Sequence, residues 1–154
     1  METYQDCIKL TKEDFDDNGH YNGPFDLACL RNADIEISRE LGSVHFPNKG
    51  TETESGGLCT NGSIRIGKGT DMCVHGPLCA EKLMSHGDVY CSSDIEVHHL
   101  KVRGKLIAEM DIIVSGSFYV GGRVVTPRLV LASLEIVMPQ RYYHERFVKK
   151  GDMP

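Results

Sequence analysis

The chain has 154 residues, of which 25% are charged and 40% apolar, enough for one folded domain with a real core. Its formal net charge of −5 argues against a general nucleic-acid or anionic-membrane surface, since both need a basic face. Sixteen glycines and no tryptophan suit a turn-rich all-β chain better than a helical bundle.

The first residues, Met1-Glu-Thr-Tyr-Gln-Asp6, are acidic and polar and lack the apolar run of a secretory leader. No stretch is long enough to span a bilayer as a helix. Six cysteines (Cys7, Cys29, Cys59, Cys73, Cys79 and Cys91) are scattered with no CxxC pair. Reduced thiols and a cytoplasmic location are therefore expected.

Residues 1–22 read as an N-terminal extension. Cys7-Ile-Lys-Leu10 fits a short strand or one helical turn. Asp14-Phe-Asp16-Asp-Asn18-Gly19 opens like a calcium loop, whose oxygens alternate around a tight glycine turn. The twelfth position is Phe25, where a bidentate Glu belongs, and Pro24 blocks a following helix. An Asx-rich turn is the expected structure.

Apolar alternation begins at Phe25, Leu27 and Cys29. Ala33-Asp-Ile-Glu-Ile37-Ser returns later as Ser93-Asp-Ile-Glu-Val97-His, which ties the N-terminal half to the C-terminal one. Residues 47–57 form a polar loop. Gly62-Ser-Ile64-Arg-Ile66-Gly-Lys-Gly69 is a strand and its turn.

From Gly76 the same short word recurs four times: Gly76-Pro-Leu78-Cys-Ala80, Gly87-Asp-Val89-Tyr-Cys91, Gly104-Lys-Leu106-Ile-Ala108 and Gly116-Ser-Phe118-Tyr-Val120. The internal period is two, so these are strands. Hairpin dipeptides are nearly absent between them, which argues against a sandwich. Stacked coils superimpose like residues into interior ladders. The pattern predicts one domain over 1–154: an all-β, single-stranded β-solenoid over 23–138 with a short C-terminal cap in the tail 139–154. Glycine intervals from Gly62 are 14, 11, 17 and 12 residues, so each glycine opens a strand rather than a whole turn. That irregularity, and the missing hexapeptide run, favour a right-handed coil.

The glycine-led strands, the Ile/Val/Leu ladder and the missing export signal resemble bactofilins, polymer-forming β-helical proteins of the bacterial cytoskeleton. The resemblance covers roughly residues 62–138 and, more weakly, 23–46. It implies a right-handed β-helical core that associates end to end without nucleotide. The chain departs from that pattern in its Asp-rich N-terminal section, its 47–57 insertion and its Tyr/Arg tail.

Several constellations bear on chemistry. His75 and His86 each precede a repeat glycine, and His98 lies on a further turn; imidazole is the commonest transition-metal ligand. These three are the candidate zinc ligands, in a site lying between subunits as in proteins similar to the gamma-class carbonic anhydrases. A single histidine acting as general base for acyl transfer is the other catalytic option. Asp94, Glu96, Glu109 and Asp111 line a possible acidic face, with Asp94 and Asp111 in equivalent slots. The apolar run Arg128–Met138 and the aromatic-basic tail give candidate interface residues: Leu129, Leu131, Ile136, Arg141, Tyr142, Tyr143 and Phe147.

The expected function is a non-enzymatic structural or assembly protein that forms homo-oligomers through its solenoid, with no cofactor and no nucleic-acid partner. The alternative is a small β-helical enzyme, metal-dependent or acyl-transferring, with a histidine-lined site at a subunit interface.

Overall fold

The computed structural model describes residues 6–28, 30–46, 57–132, 136–137, 143–144 and 147–149. In chain order the strands are β1 (Asp6–Leu10), β2 (Ala33–Ile37), β3 (Gly42–Phe46), β4 (Leu58–Cys59), β5 (Ser63–Ile66), β6 (Thr70–Val74), β7 (Leu78–Ser85), β8 (Val89–Cys91) and β9 (Ile95–Val102). They continue as β10 (Leu106–Ala108), β11 (Asp111–Val114), β12 (Phe118–Val120), β13 (Val124–Thr126), β14 (Arg128–Leu131), β15 (Ile136–Val137), β16 (Tyr143–His144) and β17 (Phe147–Lys149). Among the described residues one 3-10 turn, Lys12–Asp14, follows β1.

These strands form two all-parallel sheets of eleven and six strands. Bends divide the larger sheet into two faces, so the coil has three sides. Each bend is written into a long strand. In β7 burial alternates until Glu81 and Lys82 both face outward, and in β9 the same break falls at His98 and His99. Two successive outward residues cannot continue a flat pleat, so the chain turns a corner there. The first face holds β4, the first halves of β7 and β9, β11, β14 and β17. The second holds β1, β2, β5, the second halves of β7 and β9, β12 and β15. The third is the six-stranded sheet, β3, β6, β8, β10, β13 and β16.

In the regular middle of the coil a rung takes 17 residues, since Asp88 reaches Asp71, Lys105 reaches Asp88 and Asp111 reaches Asp94 across that interval. Like residues therefore stack. Leu78, Ile95, Ile112 and Leu129 align on the first face, Ile64, Leu83, Leu100 and Phe118 on the second, and Met72, Val89, Leu106 and Val124 on the third. All are buried, and each is worth about 1.5–3 kcal/mol relative to exposure.

Aspartates tie the corners. The Lys105 N–H donates to Asp88 Oδ1 at 2.8 Å, the Asp88 N–H to Asp71 Oδ1 at 2.8 Å, the Asp111 N–H to Asp94 Oδ1 at 2.9 Å and the Ser63 N–H to Asp34 Oδ1 at 2.9 Å. Each carboxylate thus satisfies a backbone donor of the next rung that the turn leaves unpaired. Gly104 admits this close stacking, since a Cβ there would sit 2.8 Å from the Gly87 carbonyl.

The solenoid is longer than the repeats suggest. Residues 1–22 were expected to stand outside it, yet β1 pairs with β2 over five residues and buries Leu10. At the other end, in the tail expected to cap the coil, the backbone of β16 and β17 pairs beside β13 and β14. Leu129 and Leu131, expected at a contact surface, point into the core. The cause is that β14 has a parallel neighbour on each side, β11 and β17, and its buried residues alternate with outward Arg128 and Val130. Ile136, Tyr143 and Phe147 lie on β15, β16 and β17; Arg141 and Tyr142 lie outside the described residues.

Candidate functional site

The corner between the first and second faces gathers Glu81, His98 and His99. One donor atom from each lies within 4.8 Å of the other two. The 17-residue rung sets Glu81 beside His98, because Lys82 is in register with His99. The two imidazoles meet edge to face, with ring centroids 4.2 Å apart.

The next rung supplies their supports. His98 Nδ1 lies 2.8 Å from Ser115 Oγ, and His99 Nδ1 lies 2.9 Å from Ser117 Oγ. The Ser117 N–H also donates to His99 Nδ1 at 3.2 Å. Gly116 makes room, because a Cβ there would lie 2.9 Å from the His99 ring. Two imidazoles and a carboxylate at one exposed corner suit a divalent transition metal, and groups that hold the second ring nitrogen fix imidazole orientation at such sites.

A second histidine group runs across rungs at the third face. His20 stacks on His45 with centroids 4.7 Å apart, and His45 stacks on His75 at 5.5 Å. His45 Nδ1 and His75 Nε2 are 3.2 Å apart, so the two rings share a proton as donor and acceptor. Burial, and then the charges of His20 and His75, hold the His45 imidazole below its ordinary range. Tyr90 continues the row edge-on to His75 and donates its hydroxyl to Glu109. That bond pushes the tyrosine up to about 12.

The structure does not bring His75, His86 and His98 together. Gly76 opens a first-face strand while Gly87 opens a third-face strand, so the histidines before them sit at different corners. His86 lies between the second and third faces, with Nδ1 3.4 Å from the Ile66 carbonyl oxygen. It borders a depression of about 170 Å³ together with Arg65, Lys101 and Arg103. No ion pair engages these three cations among the described residues, so the second face carries a basic patch that the net charge conceals.

The acidic ladder is real in register, but three of its four carboxylates, those of Asp94, Glu109 and Asp111, are engaged. Asp94 accepts the Asp111 N–H, Asp111 faces Arg128 Nε at 4.0 Å, and Glu109 accepts from Tyr90. The calcium-like loop is likewise an Asx turn. Asp16 Oδ1 accepts the N–H groups of Asn18 and His20 at 2.9 Å, and Asp14 accepts that of Thr11 at 2.8 Å.

The five described cysteines are free thiols. Cys59 and Cys79 are register neighbours on the first face. The bond between them raises the Cys59 thiol and lowers that of Cys79, while burial pushes Cys91 up to about 11.

Sequence reasoning missed Glu81 and the stack of His20 and His45. The signal that finds Glu81 is the 17-residue step, which carries it to His98 and His98 to Ser115. No family model, no curated protein and no solved structure matches the chain.

Proposed function

We propose that the chain is a non-enzymatic assembly protein that joins copies of itself end to end, the last rung of one copy stacking on the first rung of the next. The observation that carries this reading is the pair of parallel sheets with edge strands at both ends. Among the described residues β1 has a ladder partner on one side only, β2, and β17 only β14. An edge of this kind presents unpaired N–H and C=O groups that template another strand.

Charge supports a head-to-tail order. Residues 1–46 hold ten Asp or Glu against four Lys or Arg, whereas residues 133–154 hold three against four. Unlike ends steer encounter and fix orientation. The bactofilin resemblance of the glycine-led strands and their ladder points the same way. The free thiols suit a reducing, cytoplasmic setting.

The test is light scattering after gel filtration across a concentration series, on the wild type and on Lys9→Pro. The Ser38 N–H donates to the Leu10 carbonyl, so alternation turns the Lys9 N–H away from β2, and proline there removes only an outward donor. The wild type is expected to grow with concentration while Lys9→Pro stays monomeric. A wild type that remains monomeric, or stops at a closed dimer or trimer, would sink end-to-end assembly.

A further inference from the structure

We propose that Glu81, His98 and His99 form a binding site for a divalent transition-metal ion of the zinc class, at the outer corner between the first two faces. The ligand set is two imidazoles and one carboxylate, whose donor atoms already lie within 4.8 Å of one another. Zinc–ligand bonds of about 2.0–2.2 Å in a tetrahedral shell put neighbouring donors roughly 3.4 Å apart. Closure therefore needs a contraction of up to about 1.4 Å on that scale. Glu81 is the exposed member of the set and the two histidines are half-buried, so the carboxylate has the most room to move. Imidazole nitrogens select this class over calcium or magnesium, which take oxygen ligands.

The serines of the following rung divide the work between the two histidines. Ser115 Oγ lies 2.8 Å from His98 Nδ1 and can accept a proton held there. Nε2 of His98 then keeps its lone pair for the ion. The His99 ring differs, because the Ser117 N–H points at its Nδ1. Neutral His99 accordingly carries its proton on Nε2. Coordination through Nε2 moves that proton to Nδ1, where Ser117 Oγ at 2.9 Å receives it, and gives up the 3.2 Å bond from the Ser117 N–H. His98 is thus the ready ligand and His99 the one that adjusts. Ser115 is a positioning residue.

The site does not depend on self-association, since all of its ligands come from one chain. It also leaves one coordination position open, because three protein donors do not fill a tetrahedral shell.

The experiment is titration of the full-length protein with Zn(II) by calorimetry, and with Co(II) by visible absorption, under reducing conditions. One ion per chain is expected, with a Co(II) spectrum free of thiolate charge transfer. His98→Ala should abolish binding, and His99→Ala and Glu81→Gln should each weaken it at least tenfold. Ser115→Ala should weaken it about 10–100-fold, the usual effect of losing an outer-shell partner. His75→Ala and His86→Ala should leave it unchanged, with circular dichroism checking that every variant is folded. Absence of binding to folded wild type would overturn the assignment. So would a thiolate signature, or affinity that survives the His98→Ala/His99→Ala double substitution.

Discussion

The regular middle of the solenoid and its first turns use the same interior but different wiring. From Leu83 to Leu100 the second-face step is 17 residues, whereas Ile64 to Leu83 takes 19 and Ile35 to Ile64 takes 29. The interior side chains of both regions are equally buried. The excess length of these early turns lies outside the strand positions that superimpose. A β-solenoid thus fixes the inward-facing positions and leaves the corners free to vary, because only the former must superimpose.

The sharpest test of that comparison is one kind of truncation made in each region. Ile95→Ala removes a fully buried side chain between Leu78 and Ile112 and should cost about 2–5 kcal/mol in urea unfolding. Leu10→Ala deletes an equally buried group from the terminal strand. It should shift the global midpoint by roughly half as much and instead speed amide exchange in β1 and β2. Equal global shifts would mean that the first turns unfold as one unit with the middle.

A smaller effect separates the corners. Gly104→Ala drives a Cβ against the Gly87 backbone and should cost about 1–3 kcal/mol. Gly42, with φ of +74°, has nothing within 4 Å of an added Cβ, so Gly42→Ala should pay only the left-handed strain of about 1 kcal/mol. The reverse ranking would show that corner packing is looser in the regular rungs than in the early ones.

The gentlest probe is acid. His45 titrates below its ordinary value of 6.5, chiefly through burial and then through His20 and His75. A depressed imidazole contributes stability that is complete above the unfolded-state value and lost as pH falls through the folded one. Amides of Tyr21 and His45, which bond the Asx loop to β3, should therefore lose protection between pH ~7 and ~5. Those of the regular rungs should not. His45→Phe should flatten the slope, and an unchanged slope would remove the histidine stack as its cause.

Much of the fold was legible because the alternation of Leu78, Ala80 and Val89, Cys91 can only be strand. The rung length was not. Glycine opens strands on all three faces, so its intervals mix corners of different kinds and conceal the 17-residue step. The same mixing paired His75 with His86, which precede unlike corners. Leu129 and Leu131 were misread because a continuous apolar run looks like a contact surface until β11 and β17 are seen on either side. The stack of His20, His45 and His75 joins residues at unequal intervals along the chain, so no spacing rule points to it.

The rung of 17 or 18 residues also sets the unit in which this architecture can be edited. Excising residues 95–111 would join Asp94 to Ile112, and Asp94 stands where Asp111 stands one rung later. β11, β12 and β13 would keep their faces and take the places of β9 and β10 beside β7 and β8, and the rod would be shorter by one storey. The 18-residue cut 100–117 would serve equally, since Phe118 is the register partner of Leu100, whereas a cut that does not join register partners would throw the later strands out of alignment. Length in such a molecule is inherited in whole storeys, as the number of courses in a wall, and its thickness is not negotiable.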